Sequence, residues 1–454
     1  MTPAGRLTAV LGGWLLLVLL PACSGEPRPP AAPAGAEARA ERIRENGLAT
    51  LRSRVTVTFD RPAEFADSRI PLASHFELRI ALAEGGSRRQ LVAAAERSTA
   101  NRREVVLTVD ALVTEGSVLT VSRRAFDPRA SGSFEVPVAA DLSPLAALLA
   151  SSALTPADPA FFDPPEEREP DPATDDPAAM REALRRHLAV RGSDAATSAD
   201  ALAVYDAIPA ATVPSPKLRA ALAALTGTFA EPALADLLTP ANCTGQPAAS
   251  IDFREPPGME RLLARVTSTG TGARVVSIHP SLRGERFELL IPLLAHEAVH
   301  CDQFDSRVEE VAATAFDTLL FLRLVAANPT LAEERTRLAR ELRIDALAMV
   351  NSGAVLPESI GVLRSPGVEA ALPGTNAPYR SFAELVTTAY PTVTALQSPL
   401  EPLAAAYMAA LAAETGAAAG DPFDLRYLDG LLAQALDGAS LVAVIRAFGL
   451  EPAD

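Results

Sequence analysis

Residues 296–300 of the chain read His296-Glu297-Ala298-Val299-His300. Residues four apart on a helix share a face, so both imidazoles can point at one spot. Glu297 adjoins His296 and can lean toward that spot from the side. Two neutral imidazoles with a carboxylate beside them suit a zinc ion and a water that a general base activates. Only five histidines occur in 454 residues, which makes this spacing an uncommon accident. Such an ion needs a third protein ligand, with its fourth position left to water.

The residues that follow narrow the choice. In metzincin peptidases the pattern continues as HExxHxxGxxH, but here Gln303 and Ser306 stand where that glycine and third histidine would be, and Asp305 is one residue out of register for an aspartate. The stretch instead resembles the gluzincin zinc metallopeptidases, in which a glutamate from a following helix completes the set. Glu309 and Glu310 both have the right chemistry. Ser306-Arg-Val-Glu309 has the spacing of a capping box, which gives Glu309 a structural task, its side chain bonding back to the Ser306 amide. Glu310 has no such task. Thr314 and Asp317 follow it at i+4 and i+7, a polar stripe on a helix otherwise made of Val311, Ala312, Ala313, Ala315 and Phe316. Burying that stripe is costly unless it meets partners, and an ion with its two histidine N–H groups would be those partners. Glu310-Val-Ala-Ala313-Thr-Ala-Phe316 also resembles the ExxAxxF turn of short-spaced gluzincins. The expected metal set is therefore His296, His300 and Glu310 around Zn2+, with Glu297 as catalytic base and Thr314 and Asp317 behind the ligands.

These residues need elements to hold them. Pro292 lacks an amide hydrogen, so the helix carrying the histidines is expected to begin near Ile291. Before it, Ser250–Phe253 reads as a strand, Gly258–Val266 as a helix and Ala273–Ile278 as a strand. Strand, helix, strand and then an HExxH helix is the order of the N-terminal half of zincin peptidases. That resemblance implies that Ala273–His279 pairs with an extended peptide substrate. Pro177–Val190, Ser198–Ala207 and Ser215–Leu225 carry helical signals upstream, and residues 328–454 read as mostly helical with repeated capping patterns. Among them Leu356–Arg380 is rich in Gly and Pro, as binding loops often are. Tyr379 and Arg380 are candidate transition-state donors, with Tyr390 and Tyr427 as rivals.

The N-terminal half has another character. Arg54–Phe59, Phe76–Ile80, Glu104–Val109, Val118–Ser122 and Ser133–Val138 alternate with period two between turn-prone residues, which predicts a β-sandwich over 51–140. VTVTFDRPAEF and VVLTVDALVTEGSVLTVSRRAFDPRASG resemble the bacterial Ig-like domains of secreted and surface proteins, with Leu119 in place of the usual tyrosine. Residues 141–176 are proline-rich and acidic, a linker on composition. The fold class expected is multidomain: an all-β Ig-like sandwich, then an α+β zincin-like domain over 177–454. That domain divides into a helical lead-in (177–240), a β/α and HExxH core (241–327) and a helical C-terminal part (328–454).

Arg6 and the apolar Leu7–Leu20 form a run too short to span a bilayer as a mature helix. Leu20-Pro21-Ala22-Cys23 follows and resembles a bacterial lipobox, which implies a signal peptide over 1–22 and lipidation of Cys23. Residues 23–50 then read as a flexible tether. Ser24 after the lipidated cysteine permits outer-membrane sorting, so the expected location is the extracytoplasmic face of a cell or outer membrane. In such a compartment Cys243 and Cys301 could pair, joining the end of the histidine helix to the Cys243 loop; two unpaired buried thiols are the alternative. A net charge of −15, from 41 basic and 56 acidic residues, argues against nucleic acid as a partner. The partners expected are a peptide or protein substrate and the membrane; oligomeric state is left open. A non-catalytic envelope-binding lipoprotein with a structural or vestigial zinc site is the alternative reading.

Overall fold

The structure is a computed structural model. It describes residues 33–45, 48–65, 70–83, 85–151, 154–163, 166, 169, 171, 175–238, 248–255, 262–268, 273–300, 306–352, 370–371, 378–379, 382, 386, 402–421 and 425–452. The proposed signal peptide, Cys23, Cys243, Cys301, Arg380 and Tyr390 lie outside the described residues.

The first part is one curled sheet of eight strands: β1 (Ala36–Glu45), β2 (Leu48–Phe59), β3 (Phe76–Ala81), β4 (Ser87–Leu91), β5 (Ala94–Arg97), β6 (Glu104–Val109), β7 (Val118–Ser122) and β8 (Ser133–Ala140). Their order is β4-β3-β7-β8-β1-β2-β6-β5, with β1 antiparallel to β2 and parallel to β8. Alternate residues point inward, as period-two strands require. Val55, Val57, Val105 and Leu107 from one half of the sheet share a core with Leu78, Ile80, Leu119 and Val121 from the other. A sheet whose two ends contribute to one core must bend round it, as a half-barrel.

Two boundaries differ from expectation. The stretch assigned to a tether becomes strand at Ala36, because Ala38 and Ala40 point into the core while Glu37, Arg39 and Glu41 face water. That is period-two patterning with alanine in the apolar places, and neighbours on both sides complete the strand. The expected linker also folds in part. Its residues form α1 (Pro144–Ser151), β9 (Leu154–Pro156) and a 3-10 turn at Pro159–Phe162, with Leu154 and Phe161 buried in the second core.

That second core is mostly helical. It contains α2 (Pro177–Val190), α3 (Ala195–Ala207), α4 (Pro216–Ala223), α5 (Pro232–Leu238), β10 (Ala248–Phe253), β11 (Ala264–Ser268), β12 (Arg274–Ile278), α6 (Phe287–Val299), α7 (Arg307–Ala327) and α8 (Arg337–Ser352). After these come a two-residue pair, β13 (Ala370–Ala371) with β14 (Pro378–Tyr379), then α9 (Pro402–Thr415), α10 (Leu425–Ala435), α11 (Gly438–Ala447) and β15 (Leu450–Pro452). Helix starts use side-chain caps: Asp176, Asp194, Ser306 and Asp437 each accept an amide of the first turn. β15 pairs with β9, and the Asn351 amide holds the backbone of Leu154 on both sides, so the chain's end closes onto the former linker.

Three local expectations are corrected. Ala264–Ser268 is a strand rather than the end of a helix, because Ala264 and Val266 pack against the core while antiparallel bonds join the segment to β12. α6 starts at Phe287 and runs through Pro292. The proline forfeits one backbone bond, and burial of Phe287, Leu289, Leu290 and Ile291 offsets it. Finally, β12 has β10 on one side and β11 on the other, so it is not the free-edged strand expected of Ala273–His279. Among the described residues no single helix is long and apolar enough to cross a membrane.

Candidate metal centre

α6 and α7 pack side by side in opposite directions, so the end of one meets the start of the other. His296 faces Asp317, and His300 faces Glu309 and Glu310. His296 and Glu297 are on the last turn of α6, whereas His300 caps it, with ψ at 90° just beyond the helix. The expectation that both histidines share a regular helix therefore holds only for the first. The chain bends at the second, and the imidazoles still converge, with ring centroids 5.0 Å apart.

Each ring is oriented by a different acid. Asp317 Oδ2 lies 2.9 Å from Nδ1 of His296, and Glu309 Oε1 lies 2.7 Å from Nδ1 of His300. With both Nδ1 atoms engaged, both Nε2 atoms are presented on the other side, where Glu310 waits. Its Oε2 is 3.9 Å from Nε2 of His296 and its Oε1 is 3.9 Å from Nε2 of His300. One ligand atom from each of these three residues falls within 4.8 Å of the others, and the group could hold a metal ion. Bonds of about 2.0–2.1 Å in a tetrahedron place neighbouring ligand atoms roughly 3.3 Å apart, so the side chains would draw together by less than about 1 Å each to close the site. The surroundings fit such an ion. Glu310 is only 7 % exposed, and its buried Oε2 has no hydrogen-bond partner among the described residues. Burying a carboxylate oxygen without a partner is costly unless a cation meets it.

The capping box is only half formed. Ser306 Oγ does accept the Glu309 amide at 3.2 Å, but the Glu309 side chain goes to His300 rather than back to Ser306. The tie between the two glutamates is thus broken by position: Glu309 holds a ring, and Glu310 faces both Nε2 atoms. Thr318 donates to the other oxygen of Asp317, fixing that carboxylate in turn. Thr314, also expected behind the ligands, is buried on the same stretch of α7, with no hydrogen-bond partner for its hydroxyl among the described residues.

Burial and neighbouring charge act differently on the two rings. Burial, with His300 nearby, lowers the pKa of His296. For His300 burial pulls the same way, but the Glu309 hydrogen bond and the charges of Glu310 and Glu297 outweigh it and push the ring up to about 10. Burial raises Asp317 well above the usual carboxylate range. Glu297, next to His296 on the last turn of α6, is 6 % exposed, and its charge favours the protonated form of both imidazoles.

Behind α6 is a layer that the sequence reading missed. Tyr407 of α9 donates its hydroxyl to the carbonyl of Ala295, one residue before His296, at 3.2 Å. Its ring packs edge-on against Phe229 and Phe316. A fully buried Arg274–Asp236 pair at 2.7 Å joins β12 to α5. The chain's only lysine, Lys217, donates to the carbonyls of Arg283 and Glu285 and so ties down the turn that enters α6. A lone buried lysine and a lone arginine in a β-strand of valines were the available signals. Tyr379 belongs to the short β14 pairing, and Tyr427 packs half-buried against the helical core.

No family model, curated protein or solved structure matches this chain. The functional reading therefore rests on the site.

Proposed function

We propose that the chain is an extracytoplasmic zinc-dependent metallopeptidase, anchored to a cell or outer membrane through lipidated Cys23. The observation that carries this reading is the convergence of His296, His300 and Glu310, with Glu297 next to His296 on the same turn of α6. Two imidazoles and one carboxylate are a donor set that suits zinc and leaves room for water. Bound there, zinc would supply a Lewis acid for the peptide carbonyl and a water made acidic enough to attack it.

The chain's own residues do the rest. Glu297 takes the proton of the attacking water and delivers it to the leaving amine. Asp317 and Glu309 keep the two rings turned so that Nε2 faces the ion. β11, an edge of the three-stranded sheet lying against α6, replaces β12 as the strand that pairs with an extended substrate. In this reading the helical part is a zincin-like domain of gluzincin type, and the N-terminal sheet is an Ig-like module that spaces it from the membrane.

Purified protein should carry about one zinc per chain, the stoichiometry that one closed ligand set implies. Glu297→Gln should keep the metal while hydrolysis of a peptide library drops by about 10²-fold or more. Folded protein that takes up no zinc would overturn the reading. Zinc retained without hydrolysis by the unaltered chain would favour a non-catalytic envelope protein with a structural site.

A further inference from the structure

A cavity opens at the end of the α6–α7 pair away from the metal centre. It encloses about 510 Å³ between the α2–α3 corner, the α4–α5 connection, α6, α7, α9 and α11. That volume lies within the roughly 300–1,000 Å³ of small-molecule sites. Its floor is apolar: Ile291 of α6 and Leu320 and Leu324 of α7. Leu320 is ten residues along α7 from Glu310, which separates the floor from the metal ligands by about 15 Å of helix.

The wall carries a half-buried cation. Arg191 donates to the Ala224 carbonyl at 2.6 Å, the Thr226 carbonyl at 2.7 Å and the Ser193 hydroxyl at 2.9 Å. All three acceptors are neutral, and among the described residues no carboxylate forms an ion pair with it. A guanidinium has five N–H groups, so two remain. The two acids that also line the cavity are committed elsewhere. Asp194 caps α3 through the Thr197 amide at 2.7 Å, and Glu414 is gripped by Arg323 at 2.8 and 3.1 Å. The wall approaches closely because Gly227 has φ +72° and no side chain; a Cβ there would come within 2.4 Å of Thr197 Cγ2. Glu231 acts on Arg191 through its charge alone, its carboxylate taking the Gly227 amide at 2.8 Å. An apolar floor beside a rigidly held cation with no ion-pair partner among the described residues thus suits a ligand with the opposite make-up.

We propose that this cavity binds a small amphipathic carboxylate, its anion on Arg191 and its apolar body on Ile291, Leu320 and Leu324. The free end of a short apolar peptide and a medium-chain fatty acid share this chemistry. Because the floor is made by the two helices that carry His296 and Glu310, an occupant stiffens the frame of the metal centre from behind. Binding itself does not depend on the metallopeptidase reading.

The test is calorimetric titration of the full chain with N-acetyl-Leu-Leu, its C-terminal amide, and decanoate. At least one acid should bind with a dissociation constant of about 1 mM or tighter, and the amide should not. Which acid binds distinguishes the two sources. Arg191→Gln should weaken binding about tenfold or more, as loss of a charge-assisted contact does. Arg191 also holds two backbone carbonyls, so Ala327→Trp, which fills the half-exposed mouth, serves as a second variant and should weaken binding by a similar factor without changing zinc content. Failure of both acids to bind, equal binding of acid and amide, or binding untouched by Ala327→Trp would overturn the proposal.

Discussion

Glu309 and His300 meet at 2.7 Å, carboxylate to Nδ1, with Glu309 only 1 % exposed. This contact decides which nitrogen of His300 faces Glu310, and it separates two adjacent glutamates into a ring-holder and a ligand.

It follows that Glu309 and Glu310 differ in how their loss is felt. Glu309→Ala should weaken zinc binding by about 10–100-fold, the usual cost of losing a partner behind a histidine ligand. Glu310→Gln should weaken it further, since a ligand itself is lost. Competition with a chromophoric chelator measures both. Wild-type affinity in Glu309→Ala, or a smaller effect at Glu310 than at Glu309, would reverse the assignment.

The Tyr407 hydroxyl is the one polar atom of its ring, and it is spent on the carbonyl just before His296. Tyr407→Phe keeps the packing against Phe229 and Phe316 and removes only that bond. Stability should fall by about 1 kcal/mol in urea titration, the net worth of one buried hydrogen bond. An unchanged midpoint would mean that Ala295 gains nothing from it.

The Arg274–Asp236 pair has no exposed side-chain surface. Asp236→Ala leaves a cation in the core and should cost roughly 3–5 kcal/mol. Replacing both residues by apolar ones of similar volume should cost much less. Equal losses in the single and double variants would show that the charges do not act as a pair.

His187 supplies a pH dependence far from the metal. It is buried against Phe287 at the start of α6, and burial lowers its pKa from 6.5 to about 4. The unfolded chain therefore binds the proton first as pH falls. The stability this group contributes is fully present above pH 6.5 and is lost as pH drops toward about 4. Over that window the loss should reach roughly 3 kcal/mol. His187→Leu should flatten the slope of urea midpoint against pH there, and an unaltered slope would assign it to other groups.

Much of the fold was legible because it depends on short-range patterning. The period-two runs of β3, β6 and β7 appear where expected, since each has one wet face and one dry face. α2 spans the expected Pro177–Val190, with Asp176 as its cap and Pro177 in its first turn. Where patterning weakens, the reading failed. β4 and β5 are almost wholly exposed and show no apolar alternation, and β1 uses alanine in place of larger residues. The local cost of Pro292 predicts a helix start near Ile291, but the burial that offsets that cost comes from elements distant in the chain.

By itself the sequence determined the chemistry on offer: two histidines at helical spacing, an acid between them, and two further acids just beyond. Residue types and near-neighbour spacing are sufficient for that, because they follow from the covalent chain and the helical repeat. Only the tertiary structure decided the roles. Adjacent residues such as Glu309 and Glu310 differ by about 100° around α7, and which of the two faces Nε2 depends on how α7 packs against α6. The edge position of β11, the Tyr407 contact and the cation-walled cavity likewise arise from segments far apart in sequence. Their proximity is set by core packing, which local spacing does not encode.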